Sequence, residues 1–167
     1  MIAHSYRAIV LTISDSSSSG QREDLSGPAV KEVLSEAGFI VTGRELVPDD
    51  HDTIVKALMR LAGGCDIVVT TGGTGLGPRD VTPEATRSVC DREVPGMAEL
   101  MRSEGLKTTA FAPLSRGICG CRGETLLINV PGNPAGAADS LRSILHLIPH
   151  ALELLRGKTE HGGASPA

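Results

Sequence analysis

Aromatic residues are nearly missing: they make up 2% of the 167 residues, with no Trp, so the core must be built from Val, Ile, Leu and Ala. That scarcity argues against stacking platforms for single-stranded nucleic acid. Clustered basic charge is also lacking. With a formal net charge of −4, neither nucleic acid nor an anionic membrane is an expected partner. Cysteine is sparse. Cys65, Cys90, Cys119 and Cys121 do not lay out a disulfide framework, as expected in a reducing compartment. A single C-x-C pair at Cys119 and Cys121 is weak support for zinc, and His146 and His150, four apart, have no third ligand near them in sequence. The apolar run over residues 8–13 is too short to span a bilayer, and no small-residue cleavage pattern follows it. These features predict a cytoplasmic location. No Gly-Lys-Ser/Thr P-loop, no G-x-G-x-x-G and no nucleophile elbow occurs, so acyl transfer has no support.

What is present alternates regularly. Residues 7–13 form a β-branched run of strand length. Residues 14–24 read as a polar, serine-rich loop. Val30, Val33, Leu34 and Ala37 then follow helical spacing up to Gly38. Residues 39–47 read as a second strand, polar in its middle and so placed near a sheet edge. Ile54, Leu58 and Leu61 mark the next helix. Residues 66–71 (DIVVTT) are apolar on both faces, as a central parallel strand requires. Thr82-Pro83 predicts a helix with Thr82 as N-cap, and residues 95–104 predict another. Residues 119–121 and 125–130 read as a hairpin, and Asn133-Pro134 caps a helix carrying Leu141, Ile144, Leu145 and Ile148. A last helical turn is expected near residues 151–155. This order predicts one three-layer α/β/α domain over residues 1–156, on a mostly parallel mixed sheet. Residues 157–167 are expected to be a disordered tail.

In such sheets ligands bind in the loops after the strands. After the central strand comes Thr71-Gly72-Gly73-Thr74-Gly75. Its glycines permit a nest of backbone N–H groups that holds an anion, or they form only a tight turn. Asp80 stands just before the next helix. It either caps that helix or, with Thr82 as cap, is left free. A free carboxylate beside a phosphate nest calls for Mg²⁺ between the two. Of the aspartates at 49, 50 and 52, one must cap the third helix; Asp49 alone is far enough upstream to enter the cleft. Ser14 and Asp15 end the first strand in the same layer. Ser115, Arg116 and the turn Pro131-Gly132 stand in further loops. This set favours phosphoryl or nucleotidyl transfer, which depends on positioning and charge stabilisation.

The stretch Thr70-Thr71-Gly72-Gly73-Thr74-Gly75, three residues, then Arg79-Asp80-Val81-Thr82-Pro83-Glu84-Ala85 resembles the signature of the MogA/MoaB molybdenum-cofactor biosynthesis family. Ser14-Asp15, Pro48-Asp49, Pro95-Gly96-Met97, Leu114-Ser115-Arg116 and residues 129–134 fall where that family has similar motifs, so the resemblance spans residues 7–155. It implies a five-stranded mixed sheet with one antiparallel strand, a homotrimer, and transfer of AMP from Mg²⁺-ATP to molybdopterin with release of pyrophosphate. It implies a later hand-over to a molybdenum insertase and no tightly bound organic cofactor. By matching motif, Asp49 and Asp80 become the acidic catalytic and metal-binding pair. Gly72, Gly73, Thr74, Gly75, Ser14 and Asp15 become nucleotide and phosphate residues. Ser115, Arg116, Thr125, Pro131 and Gly132 become substrate residues. Residues 76–78 and Cys121 depart from the family pattern. A non-catalytic molybdopterin-binding scaffold is the alternative, and an enzyme acting on another nucleotide a further one.

Overall fold

The computed structural model describes residues 5–159. Strands and helices alternate from the start. The β-branched run gives β1 (Arg7–Ile13), followed by the single helical turn α1 (Asp15–Ser18) and then α2 (Ser26–Glu36). β2 (Ile40–Val47), α3 (His51–Leu61), β3 (Ile67–Thr71) and α4 (Thr82–Val89) follow. Then come β4 (Arg92–Glu93), α5 (Pro95–Gly105), a 3₁₀ turn at Ala112–Leu114, and the hairpin of β5 (Cys119–Arg122) and β6 (Thr125–Val130). α6 (Pro134–Ile144), a 3₁₀ turn at Leu145–Leu147, and α7 (Ile148–Leu155) close the unit.

The six strands form one sheet in the order β2-β1-β3-β6-β5-β4. β1 pairs in parallel with β2 and β3, and β3 with β6. β5 runs antiparallel to both β6 and β4. Period-two alternation sorts the side chains into two cores. Ala8, Val10, Ile67, Val69 and Ile128 face α2, α5, α6 and α7. Leu11, Ile13, Val68 and Leu127 face α3 and α4. Helices thus cover both faces, giving the predicted α/β/α layers. β3, buried along its whole length, is central, and β2 is an edge strand that buries no residue fully.

Three expectations need correction. The implied five strands are six, because Arg92–Glu93 adds a two-residue edge through backbone bonds that flank it: Asp91 N–H donates to Cys121 O (2.8 Å) and Val94 N–H to Cys119 O (2.7 Å). The serine-rich stretch is not all loop: Ser14 caps a helical turn by accepting from Ser17 N–H at 3.2 Å. Thr82 is not the N-cap of α4. It is the first helical residue, and its hydroxyl donates to Gly72 O at 2.9 Å. Of the expected tail from residue 157, residues 160–167 lie outside the described residues.

Topology fixes where a ligand can sit. From β1 the chain first goes to β2 on one side and then to β3 on the other, so β1 and β3 flank the switch point. The loops after β1, β2, β3 and β6 all open at that end of the sheet.

Candidate active site

These loops meet under severe crowding. Gly72 and Gly73 take φ of 103° and 66°, a region that L side chains rarely adopt. A Cβ at Gly72 would overlap the carbonyl oxygen of Ile13, so the β3 loop lies directly on the end of β1. Gly72 N–H is spent on Val130 O at 3.2 Å. No hydrogen bond among the described residues uses the amides of Gly73, Thr74 or Gly75. Those three donors remain unspent, as an anion-binding nest requires.

Asp49 follows β2. Asp50 caps α3 by accepting from Thr53 N–H (2.9 Å), which leaves Asp49 for the cleft. Asp49 and Asp15 exchange two bonds. Asp15 N–H donates to Asp49 Oδ2 (2.9 Å), and Asp49 N–H donates to Asp15 Oδ1 (3.0 Å). Asp15 is also gripped by Arg79, whose Nε and Nη2 donate to its two oxygens at 3.0 and 3.1 Å. The Arg79 hydrogen bond holds the Asp15 carboxyl below its ordinary range. Asp49 goes the other way. Burial raises its pKa, the Asp15 amide opposes that, and the charges of Asp15 and Asp80 add to it. The remaining oxygen, Asp49 Oδ1, is buried with no partner in the protein. It stands only 3.0 Å from where a Cβ of Gly73 would be, so the loop backbone lies against it.

Asp80 turns back over its own loop. Its Oδ2 accepts from Gly77 N–H at 2.9 Å and would crowd a Cβ at Gly75 or Gly77. An orphaned, buried carboxylate oxygen that feels the charge of a second carboxylate has the chemistry of a divalent-cation ligand. Among the described residues no group of three or more His, Cys, Asp or Glu gathers to hold a metal. A cation held by so few protein ligands would complete its shell with water and substrate oxygens, as Mg²⁺ does.

Arg116 does not extend into the cleft. Its Nε donates to Gly75 O (2.7 Å), its Nη2 to Asp80 O (2.8 Å), and its Nη1 to Glu84. Its own N–H donates to Thr74 O at 2.8 Å. The side chain thus clamps the glycine-rich loop from behind. Arg102 of α5 holds the residues on either side of Arg116, donating to Ser115 O (3.3 Å) and Gly117 O (2.9 Å).

A cleft of about 1020 Å³ opens in front of this framework. Of the residues expected in the site, Gly73, Thr74, Gly75, Asp80, Ser115, Pro131 and Gly132 line it. Asp49 sits behind Gly73. Ser14 and Asp15 are occupied in supporting Asp49 and α1. Thr125 is elsewhere: it begins β6, at the far end of the sheet, where it accepts from Gly63 N–H and donates to Cys65 O. Two further lining residues were given no site role from sequence: Arg102, and Asn129, which entered only as the start of the motif at residues 129–134. Asn129 Nδ2 donates to Thr70 Oγ1 (2.8 Å) and Thr86 Oγ1 (3.0 Å), and its Oδ1 accepts from Ile118 N–H (3.2 Å). An amide inside the apolar run of β6 was the available signal. Arg102 had none.

Comparison with known proteins identifies the family and the fold. Residues 9–150 match the family described as "Probable molybdopterin binding domain". The chain is 45% identical over 152 residues to a molybdopterin adenylyltransferase of Helicobacter pylori strain J99, covering 89% of this chain and 86% of the relative. It is 37% identical over 166 residues to the molybdopterin adenylyltransferase of Escherichia coli K12, covering 89% and 84%. Among solved structures, MoaB of Thermus thermophilus superposes with a TM-score of 0.86 at 52% identity, over 92% of this chain and 98% of that one. A CinA protein of Thermoplasma acidophilum, 20% identical at a TM-score of 0.66, shares the fold alone. The chain is a member of the molybdopterin-binding domain family, within its MogA/MoaB branch.

Proposed function

We infer that this chain is a molybdopterin adenylyltransferase. Its relatives over most of its length carry that name. The observation that carries the chemistry is the buried, unpartnered Oδ1 of Asp49 beside the unspent amides of Gly73, Thr74 and Gly75. An oxygen of the molybdopterin phosphate attacks the α-phosphorus of ATP. The bond to the bridging oxygen breaks, AMP stays on molybdopterin, and pyrophosphate leaves.

The chain itself contributes position and charge rather than a nucleophile. The three loop amides receive phosphate oxygens, and Ser115, Pro131 and Gly132 border the remaining cleft where molybdopterin lies. Asp49 and Asp80 would hold Mg²⁺, which would supply positive charge against the triphosphate. Arg116 keeps the loop amides and Asp80 in one frame. Homotrimer assembly, a cytoplasmic site of action and onward transfer to a molybdenum insertase belong to the same proposal. No helix among the described residues is long and apolar enough to cross a membrane.

The test is AMP transfer from α-labelled ATP to purified molybdopterin, with pyrophosphate release measured in parallel. Asp80→Asn should lower turnover by about 10²-fold or more, the scale of losing one preorganised electrostatic group. Molybdopterin binding should persist. Molybdopterin binding by the wild type without AMP transfer would favour the scaffold alternative.

A further inference from the structure

Asp49 and Asp80 come from different loops, one after β2 and one after β3. Each is anchored separately: Asp49 by the Asp15 amide, Asp80 by the Gly77 amide. Their connection runs through a third loop. Arg79, the residue before Asp80, grips both oxygens of Asp15 at 3.0 and 3.1 Å. Asp15 in turn exchanges two bonds with Asp49, at 2.9 and 3.0 Å. Asp15 Oδ1 is shared, accepting from both Asp49 N–H and Arg79 Nη2. The path from one carboxylate to the other is therefore Asp49, Asp15, Arg79, Asp80.

Global stability gives little reason for this arrangement. The Arg79 and Asp15 side chains are 64% and 45% exposed, and exposed ion pairs contribute little to folding. Nor is Arg79 deployed as a phosphate ligand here, since its two-point grip is taken by Asp15. What the pair does fix is the relative placement of two loops.

We propose that Asp15 and Arg79 are positioning residues that set the spacing of the Asp49 and Asp80 carboxylates and thereby favour Mg²⁺ over larger divalent ions. This rests on reading Asp49 and Asp80 as the metal-facing pair. Mg²⁺ demands near-ideal octahedral geometry at short range, whereas Ca²⁺ tolerates irregular, longer coordination. Loosening the frame should therefore penalise Mg²⁺ more than Ca²⁺.

The experiment measures binding of a non-hydrolysable ATP analogue by calorimetry across Mg²⁺ and Ca²⁺ titrations. It uses the wild type, Asp15→Asn, Arg79→Gln and the double variant, with Asp49→Asn as reference. The Mg²⁺ concentration for half-maximal binding should rise about 10-fold or more in each single variant, on the scale of losing a hydrogen-bonding partner of a metal ligand. The Ca²⁺ requirement should shift less. The double variant should shift no further than the larger single one, because both residues act through one contact. Three results overturn the proposal: singles that leave the Mg²⁺ requirement unchanged, equal shifts for both ions, or effects that multiply in the double variant. If Asp49→Asn also leaves the Mg²⁺ requirement unchanged, the metal-facing reading fails and takes this proposal with it. If Asp49→Asn raises it and the singles do not, only the positioning role is lost.

Discussion

Replacing Arg116 tests whether the glycine-rich loop holds its own shape or is held from behind. The side chain makes three contacts: Gly75 O at 2.7 Å, Asp80 O at 2.8 Å, and the Glu84 carboxylate. A charged donor on a carbonyl is worth about 1.5–3 kcal/mol when fully buried. Here the side chain is 33% exposed, which brings each bond nearer to about 1 kcal/mol. The Glu84 pair adds about 0.5 kcal/mol, since that carboxylate is itself 44% exposed. Arg116→Met, which keeps the apolar stem and removes the head, should therefore destabilise by about 2–3 kcal/mol. For a chain of this size that lowers Tm by about 4–12 °C. Arg116→Ala should cost somewhat more, by the lost stem packing. Thermal unfolding by circular dichroism at fixed protein concentration measures both, and urea unfolding supplies the free energy. A Met variant within about 0.5 kcal/mol of wild type would show that the loop is self-supporting, and the clamp argument would fall.

Gly73→Ala should cost roughly 1–3 kcal/mol from positive φ alone and should also abolish Mg²⁺-dependent nucleotide binding, because the new methyl presses on Thr82 Oγ1 and Asp49 Oδ1; normal binding by calorimetry would refute it. Burial raises the Asp49 carboxyl, so its favourable contribution is present below the ordinary carboxyl pKa of 3.8 and is lost as pH rises through the raised value. At pH 7, without divalent ions, Asp49→Asn should melt at or above the wild type, and added Mg²⁺ should raise Tm of the wild type but not of the variant. Burial likewise pushes the Cys65 and Cys90 thiols up to about 11 and Cys119 to about 12, from an ordinary 9.0. The unfolded chain loses those protons first, so stability should fall as pH climbs from about 9 toward 12. Urea midpoints that stay flat across that window in the wild type, or that fall as steeply in a Cys119→Ala variant, would contradict it.

Much of the fold was legible because periodicity reports burial directly. Residues 66–71, apolar on both faces, became the central strand, and the polar alternation of residues 40–47 became an edge. Asn133 was readable as a cap because Pro134 follows it, and its side chain does accept from Gly136 N–H at 2.9 Å. β4 was invisible because two exposed residues carry no hydrophobic pattern and join the sheet through backbone alone. Thr82 was misread for a similar reason. Local rules see a cap beside a proline, but the carbonyl of Gly72, ten residues earlier, needs a donor and takes the hydroxyl. Thr125 was grouped with the site by its motif, yet the hairpin reverses the chain and carries it to the opposite end of the sheet. Arg116 was visible as a cation near the site. Only the fold reveals that its partners are carbonyls of a loop about 40 residues away in sequence.

The glycines show how the site and the chain's own packing share one short segment. Gly72 is glycine because of the fold: its missing Cβ makes room for the Ile13 carbonyl on the neighbouring strand. Gly73, Gly75 and Gly77 answer to side chains. A Cβ on Gly73 would meet Thr82 and Asp49, and one on Gly75 or Gly77 would meet Asp80. Only Gly72 and Gly73 need positive φ. Gly75 and Gly77 are small so that the Asp80 carboxylate can lie against the backbone. A glycine-rich loop read from sequence suggests only exposed amides. In the structure those glycines first admit two carboxylates, and the amides of Gly73, Thr74 and Gly75 are the ones left unspent.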